Sequence, residues 1–152
     1  QNCTVRSGTL GGRNARALRR ADHGMNLTDA VNAHTDWKIR LRGAISDRAS
    51  LDIEAIARDD CCEFGDWLHG TARERFGGLP AHQECVVAHA KFHLCAADVA
   101  GAINAGEYSK AERMLDAGTR YALASRAIVL AIETLRRQIN EHDQALGRSA
   151  DA

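Results

Sequence analysis

Proline is almost missing from this 152-residue chain, and aromatic residues make up only 5% of it. With Pro80 as the one proline, little in the sequence interrupts a helix, and its alanine, leucine and arginine favour that conformation. The five cysteines, Cys3, Cys61, Cys62, Cys85 and Cys95, contain no C-x-x-C pair. An odd number in a chain this short does not build a secreted disulfide framework. No apolar run approaches the roughly 18 residues of a membrane-spanning helix, and no signal-peptide pattern opens the chain. These absences predict a cytoplasmic protein with no membrane partner. An excess of either charge is missing too, since the formal net charge is zero. Five of the 20 basic residues, Arg6, Arg13, Arg16, Arg19 and Arg20, precede the first acid, leaving 15 basic against 20 acidic residues over 22–152. An acidic body argues against nucleic acid as a partner.

What is present is helical periodicity. Leu27, Ala30, Val31, His34, Trp37, Leu41 and Ile45 recur at steps of three and four, one stripe of an amphipathic helix that Asn26 or Thr28 can cap. Leu51, Ile53 and Ile56 predict a short helical or irregular piece, and Cys62 to Phe76 another helix broken near Gly70. "GGLP" at 77–80 ends that stretch, and a third helix is predicted from about Ala81 to Ile103. Tyr108, Ala111, Leu115, Tyr121, Ala122, Ser125, Ile128, Val129, Ile132, Leu135 and Ile139 form a long final stripe, which ends in the polar "NEHDQALGRSADA". Such stripes cannot be buried singly. The expected fold is therefore all-α, an antiparallel four-helix bundle with an N-terminal arm or short extra helix. Residues 1–24 are expected as a basic arm or linker, with "SGTLGG" native or introduced in cloning, 25–142 as the bundle and 143–152 as a polar tail that frays.

The chemistry starts from "HAKFH", His89 to His93. Residues four apart share a helix face, so both imidazoles can reach one ion. A zinc site needs about four nitrogen or sulfur donors arranged as a tetrahedron. His34 and Cys62 stand where apolar stripes should carry aliphatic residues, and Gly65, one turn after Cys62, leaves room for a facing helix or imidazole near the sulfur. His82 and Cys85 share the face of His89 and His93, but four side chains leaving one straight helix cannot close a tetrahedron. Cys61 competes with Cys62, and only one of two neighbours can face the core. Cys95 is expected as a buried thiol and Cys3 as a tail thiol.

"HTDW" (34–37), "CEFGDW" (62–67) and "HAKFH" (89–93), in that order and about thirty residues apart, resemble the chemoreceptor zinc-binding (CZB) domain family of bacteria over roughly 27–137. The family block selects Cys62 over Cys61. The resemblance implies one zinc per chain held by His34, Cys62, His89 and His93. It implies a regulatory role beside a cytoplasmic chemoreceptor signalling domain or a diguanylate cyclase, and, with the long final helix, a homodimer. Neither a coiled-coil signalling hairpin nor a cyclase motif is recognisable here, so the chain is read as a free-standing member or a piece of a larger receptor.

Enzyme classes fit poorly. Ala90 follows His89, so the H-E-x-x-H base is missing, no P-C-x-x-C block serves a deaminase, and no Glu-x-x-His pairs support a di-iron bundle. With a metal-held thiolate, Cys62 is the expected redox-sensing residue, and the resemblance implies hypochlorous acid or peroxide as the oxidant that converts it to a sulfenic acid. Protonation of the histidines near pH 6 is expected to compete with the metal. Asp36, Asp59, Asp60 and Asp98 are candidates for orienting the ligand histidines. A structural zinc module for dimerisation is the alternative to a sensor.

Overall fold

A computed structural model describes residues 24–150 of the chain. Helix is the regular structure of the described residues, which contain no strand: α1 (Leu27–Asp47), α2 (Ile53–Ala57), α3 (Glu63–His69), α4 (Thr71–Phe76), α5 (Pro80–Asn104), α6 (Tyr108–Met114) and α7 (Arg120–Ala150). The expected basic arm lies outside the described residues apart from Gly24, as does Cys3.

Local signals set most boundaries. The Asn26 side chain accepts the backbone N–H groups of Thr28 and Asp29, two donors that the first turn of α1 leaves unpaired. Pro80 opens α5, where its missing N–H costs nothing. Gly70 separates α3 from α4, as the sequence predicts. Two expectations fail further on. The final stripe is not one helix: it breaks between Met114 and Arg120, where Gly118 takes a φ of +81° and the Thr119 hydroxyl accepts the N–H of Ala122 to begin a new helix. A glycine followed by a capping threonine is a local signal that the unbroken apolar pattern overrides on paper. Conversely, α7 does not stop at its last core residue, Ile139, but continues to Ala150. Glutamine, alanine, leucine and arginine favour helix without burial.

Contacts give the relative directions of the elements. Ile56, Cys62 and Leu68 meet His93, His89 and His82 in turn, so the α2–α3 segment runs antiparallel to α5. Ala81 meets Gln138 and Asp98 meets Arg120, so α7 is antiparallel to α5 as well. The core between them contains Leu41 from α1, Leu68 and Phe76 from the broken segment, Phe92, Val99 and Ile103 from α5, and Ile128, Ile132 and Leu135 from α7. Asn104 clamps the loop after α1 from the end of α5, donating to the carbonyl of Leu51 and accepting its N–H at 2.8 Å each.

The expectation that no stretch resembles a membrane span needs correction. After Glu84, Lys91 and Asp98 are the charged residues of α5, and His89, His93 and Asn104 its uncharged polar ones. By length and composition α5 is long and apolar enough to cross a membrane, yet 56% of its most apolar window is buried inside the molecule. Contact with α2 and α7 accounts for that apolarity.

Candidate metal centre

Three segments deliver four side chains to one point. His34 falls on the buried stripe of α1 with Ala30, Leu41 and Ala44. Cys62 is the N-cap of α3: its extended backbone turns the chain into the helix, and its Sγ accepts the N–H of Gly65 at 3.2 Å. His89 and His93 occupy consecutive turns of α5, fully inside. One donor atom from each of His34, Cys62, His89 and His93 lies within 4.8 Å of the others.

The orientation of the rings is defined from behind. Nδ1–H of His34 donates to the Ala30 carbonyl at 2.7 Å, and Nδ1–H of His93 to the Ile56 carbonyl at 2.8 Å. Ile56 sits at the end of a five-residue helix, where carbonyls have no helical partner of their own. With Nδ1 protonated, Nε2 of each ring presents a lone pair inward. His89 completes the arrangement, its Nε2 lying 3.3 Å from the Cys62 sulfur and 3.1 Å from Nε2 of His93. Nε2 of His34 and Nδ1 of His89 are buried with no hydrogen-bond partner among the described residues. Converging lone pairs in a dry site repel one another unless a proton or a cation lies between them. A tetrahedral zinc ion, with bonds of about 2.0–2.3 Å, needs donors roughly 3.3–3.7 Å apart. The two observed separations are close to that spacing, and three imidazoles with one sulfur are a donor set that suits zinc.

Phe64 and Phe92 pack edge-on to His34 at ring-centre distances of 5.6 and 5.2 Å, which makes the surroundings apolar. Burial is accordingly the main influence on each titrating group. It lowers His34 to about 4, against an upward pull from the Ala30 carbonyl, and His89 to about 2, helped by the neighbouring histidines. His93 is lowered as well. All three rings are therefore neutral at neutral pH, the form that binds metal. Burial pushes the Cys62 thiol up from its ordinary range, so only a cation beside the sulfur would hold it as a thiolate.

These shifts carry a pH prediction that differs from protonation near pH 6. The unfolded chain takes up a proton on His34 near pH 6.5, whereas the folded, metal-free chain resists until about pH 4. Between those values the unfolded state binds more protons, so stability falls as pH falls. The expected loss attributable to His34 is roughly 3 kcal/mol across that window. Denaturant midpoints of metal-free protein between pH 7 and 4 check this, and a His34→Gln variant should show a flatter profile.

The four ligand candidates from the sequence thus come together, while the rivals do not join them. Cys85 is fully buried one turn before His89, with its thiol raised to about 12 by burial, and is not among the four. His82 directs Nε2 to the Leu68 carbonyl at 2.9 Å. Cys61 is half-buried beside the site, and Cys95 is buried. The aspartates expected behind the histidines are engaged elsewhere or exposed. Asp59 bonds His69, Asp60 bonds Arg58, Asp98 pairs with Arg120, and Asp36 is exposed. Backbone carbonyls take that orienting role, and no side-chain pattern could have revealed them. Gly65 is explained more fully than expected: a Cβ there would lie 1.8 Å from the Asp59 carbonyl oxygen and 3.0 Å from Cε1 of His89. The loop backbone excludes a side chain first, and the imidazole second.

Fold and site together define an all-helical domain with a candidate three-histidine, one-cysteine metal centre. Residues 34–100 match the family model of the chemoreceptor zinc-binding domain, a segment that begins at His34 and contains all four candidate donors. Over that segment the chain is similar to the chemoreceptor zinc-binding domain family, which is named for sensing and metal and not for a catalysed reaction. No curated protein and no solved structure matches the chain.

Proposed function

We propose that His34, Cys62, His89 and His93 hold one zinc ion per chain and that the domain is a cytoplasmic regulatory module, sensing oxidants through Cys62 or zinc supply through occupancy. The observation that carries this reading is the convergence of three buried, neutral imidazoles and one thiol from α1, the start of α3 and α5. When bound, the ion would supply the positive charge that keeps the Cys62 sulfur an oxidisable thiolate. A closed set of four protein donors leaves no open position for a substrate, which supports a non-catalytic role.

In this reading α1, the broken run α2–α4, α5 and α7 are the four members of an up-down-up-down antiparallel bundle, with α6 as the crossing connection. Cys62 is the only donor on the broken run. Its oxidation removes the metal-mediated tether between that run and α5, which loosens the α2–α3 segment while the long helices stay packed. The output we propose is chemotaxis or cyclic-di-GMP signalling, through a chemoreceptor signalling domain or a diguanylate cyclase, with the domain as a homodimer. Val87 and Leu94 on α5 and Leu123 and Leu130 on α7 are exposed apolar residues at seven-residue spacing, which supports self-association.

The closed, buried donor set also fits a structural zinc module for dimerisation, and one variant separates the two. Cys62→Ser should stay folded and lose oxidant-triggered zinc release, followed with a chromogenic chelator during titration with hypochlorite or peroxide. Outright unfolding of the variant would favour the structural module. Wild-type protein that releases no zinc under oxidant would remove the redox reading.

A further inference from the structure

Cys61 has no task in the site so far described, yet its position is unusual. It precedes Cys62 directly, and both residues line the same open groove of about 990 Å³ between α1 and the α2–α3 segment, together with His34, Trp37 and His93. Their shared peptide lies between the end of α2 at Ala57 and the start of α3 at Glu63, outside any helix. Cys85 and Cys95 are buried in α5 and do not line this groove. An oxidant that reaches Cys62 through the groove therefore meets one neighbouring thiol there.

We infer that Cys61 is the resolving thiol of the site, closing a disulfide with Cys62 once the Cys62 sulfur has been oxidised. The inference rests on the zinc-thiolate reading above. In the first step a peroxide oxygen transfers to the Cys62 thiolate: an S–O bond forms, the O–O bond breaks, and the departing hydroxide takes a proton to become water. In the second, the Cys61 sulfur attacks the sulfenic acid: the S–S bond forms, the S–O bond breaks, and hydroxide leaves with the Cys61 proton as a second water. Two thiols lose two electrons and one peroxide gains them.

Two consequences follow from the chemistry. A sulfur in a disulfide cannot serve as a thiolate donor, so closure converts a weakened ligand into a lost one. Neighbouring Cα atoms are about 3.8 Å apart, short of the roughly 4.4–6.8 Å that disulfides prefer, so the ring is strained and easily reduced. A sulfenic acid without a resolving thiol proceeds to the irreversible sulfinic acid instead. Cys61 thereby makes the response reversible.

Peptide mapping of the wild-type protein tests this directly, because the tryptic fragment 59–73 contains Cys61 and Cys62 and no other cysteine. Zinc-loaded protein is treated with one equivalent of hydrogen peroxide in the presence of dimedone, then alkylated. The expected fragment is about two mass units lighter, without dimedone or alkyl groups, and dithiothreitol restores zinc binding. Cys61→Ser should bind zinc within about twofold of wild type. After oxidation it should carry dimedone-reactive or sulfinic Cys62 and recover zinc at least about fivefold less completely. Zinc release from wild type with Cys61 still alkylatable, or full recovery by the variant, overturns the resolving role alone. Wild type that keeps its zinc and an unmodified Cys62 overturns the zinc-thiolate reading, and this inference with it.

Discussion

His89→Ala is expected to reduce zinc affinity by at least about a hundredfold. Sites of this donor type contribute about 10–16 kcal/mol of binding, and one donor of four accounts for roughly a quarter. His89 is the choice among the histidines because its Nε2 approaches both the Cys62 sulfur and His93, so it is the central donor of the set. Its effect on the metal-free fold should be much smaller. Truncating a buried ring costs about 2–5 kcal/mol in an apolar core, but here it also removes a buried Nδ1 that has no partner, and relief of that burden offsets part of the loss. Thermal melting with and without zinc separates the two effects. Zinc should raise the wild-type midpoint strongly and the variant's hardly at all. A variant that binds zinc within about threefold of wild type in a chelator competition would show that the cluster is not the metal centre.

Gly65→Ala is expected to be the most disruptive single-methyl change in the domain. The added carbon would sit 1.8 Å from the Asp59 carbonyl oxygen, far inside contact distance, and that atom belongs to backbone rather than to a movable side chain. Either the loop before α3 or the first turn of α3 must shift. Each carries part of the candidate site: the Gly65 N–H bonds the Cys62 sulfur, and the next obstacle, Cε1 of His89, belongs to a candidate ligand ring. Overpacking of this kind costs about 1–3 kcal/mol or more, and a displaced cap sulfur should add a tenfold or greater loss of zinc affinity. Gly78 is the internal comparison. A Cβ there meets nothing within 4 Å, and Gly78→Ala should be nearly silent in both measurements. Equal behaviour of the two variants would contradict the close packing at Gly65.

Much of this architecture is legible in local pattern. Asn26 before a three-and-four stripe marks the start of α1, "GGLP" marks the start of α5, and Gly70 divides the segment after Cys62. The failures are instructive because they oppose one local signal to another. At 115–119 the apolar stripe runs on in phase while glycine and a capping threonine stop the helix, and the backbone signal prevails. After Ile139 the stripe ends but the helix does not, since propensity carries it past the core.

The sequence by itself determined the helical class and named four candidate donors, because periodicity and the His89–His93 spacing act within a few residues of chain, and because the motifs match a family model. Tertiary structure alone decided that these donors meet, and what stands behind them. His34 and His93 are brought together by packing of α1, α2 and α5, and the groups that aim their rings are carbonyls of Ala30 and Ile56. Every residue has such a carbonyl. Which one faces a buried imidazole depends on how helices end and stack, and no residue type records that.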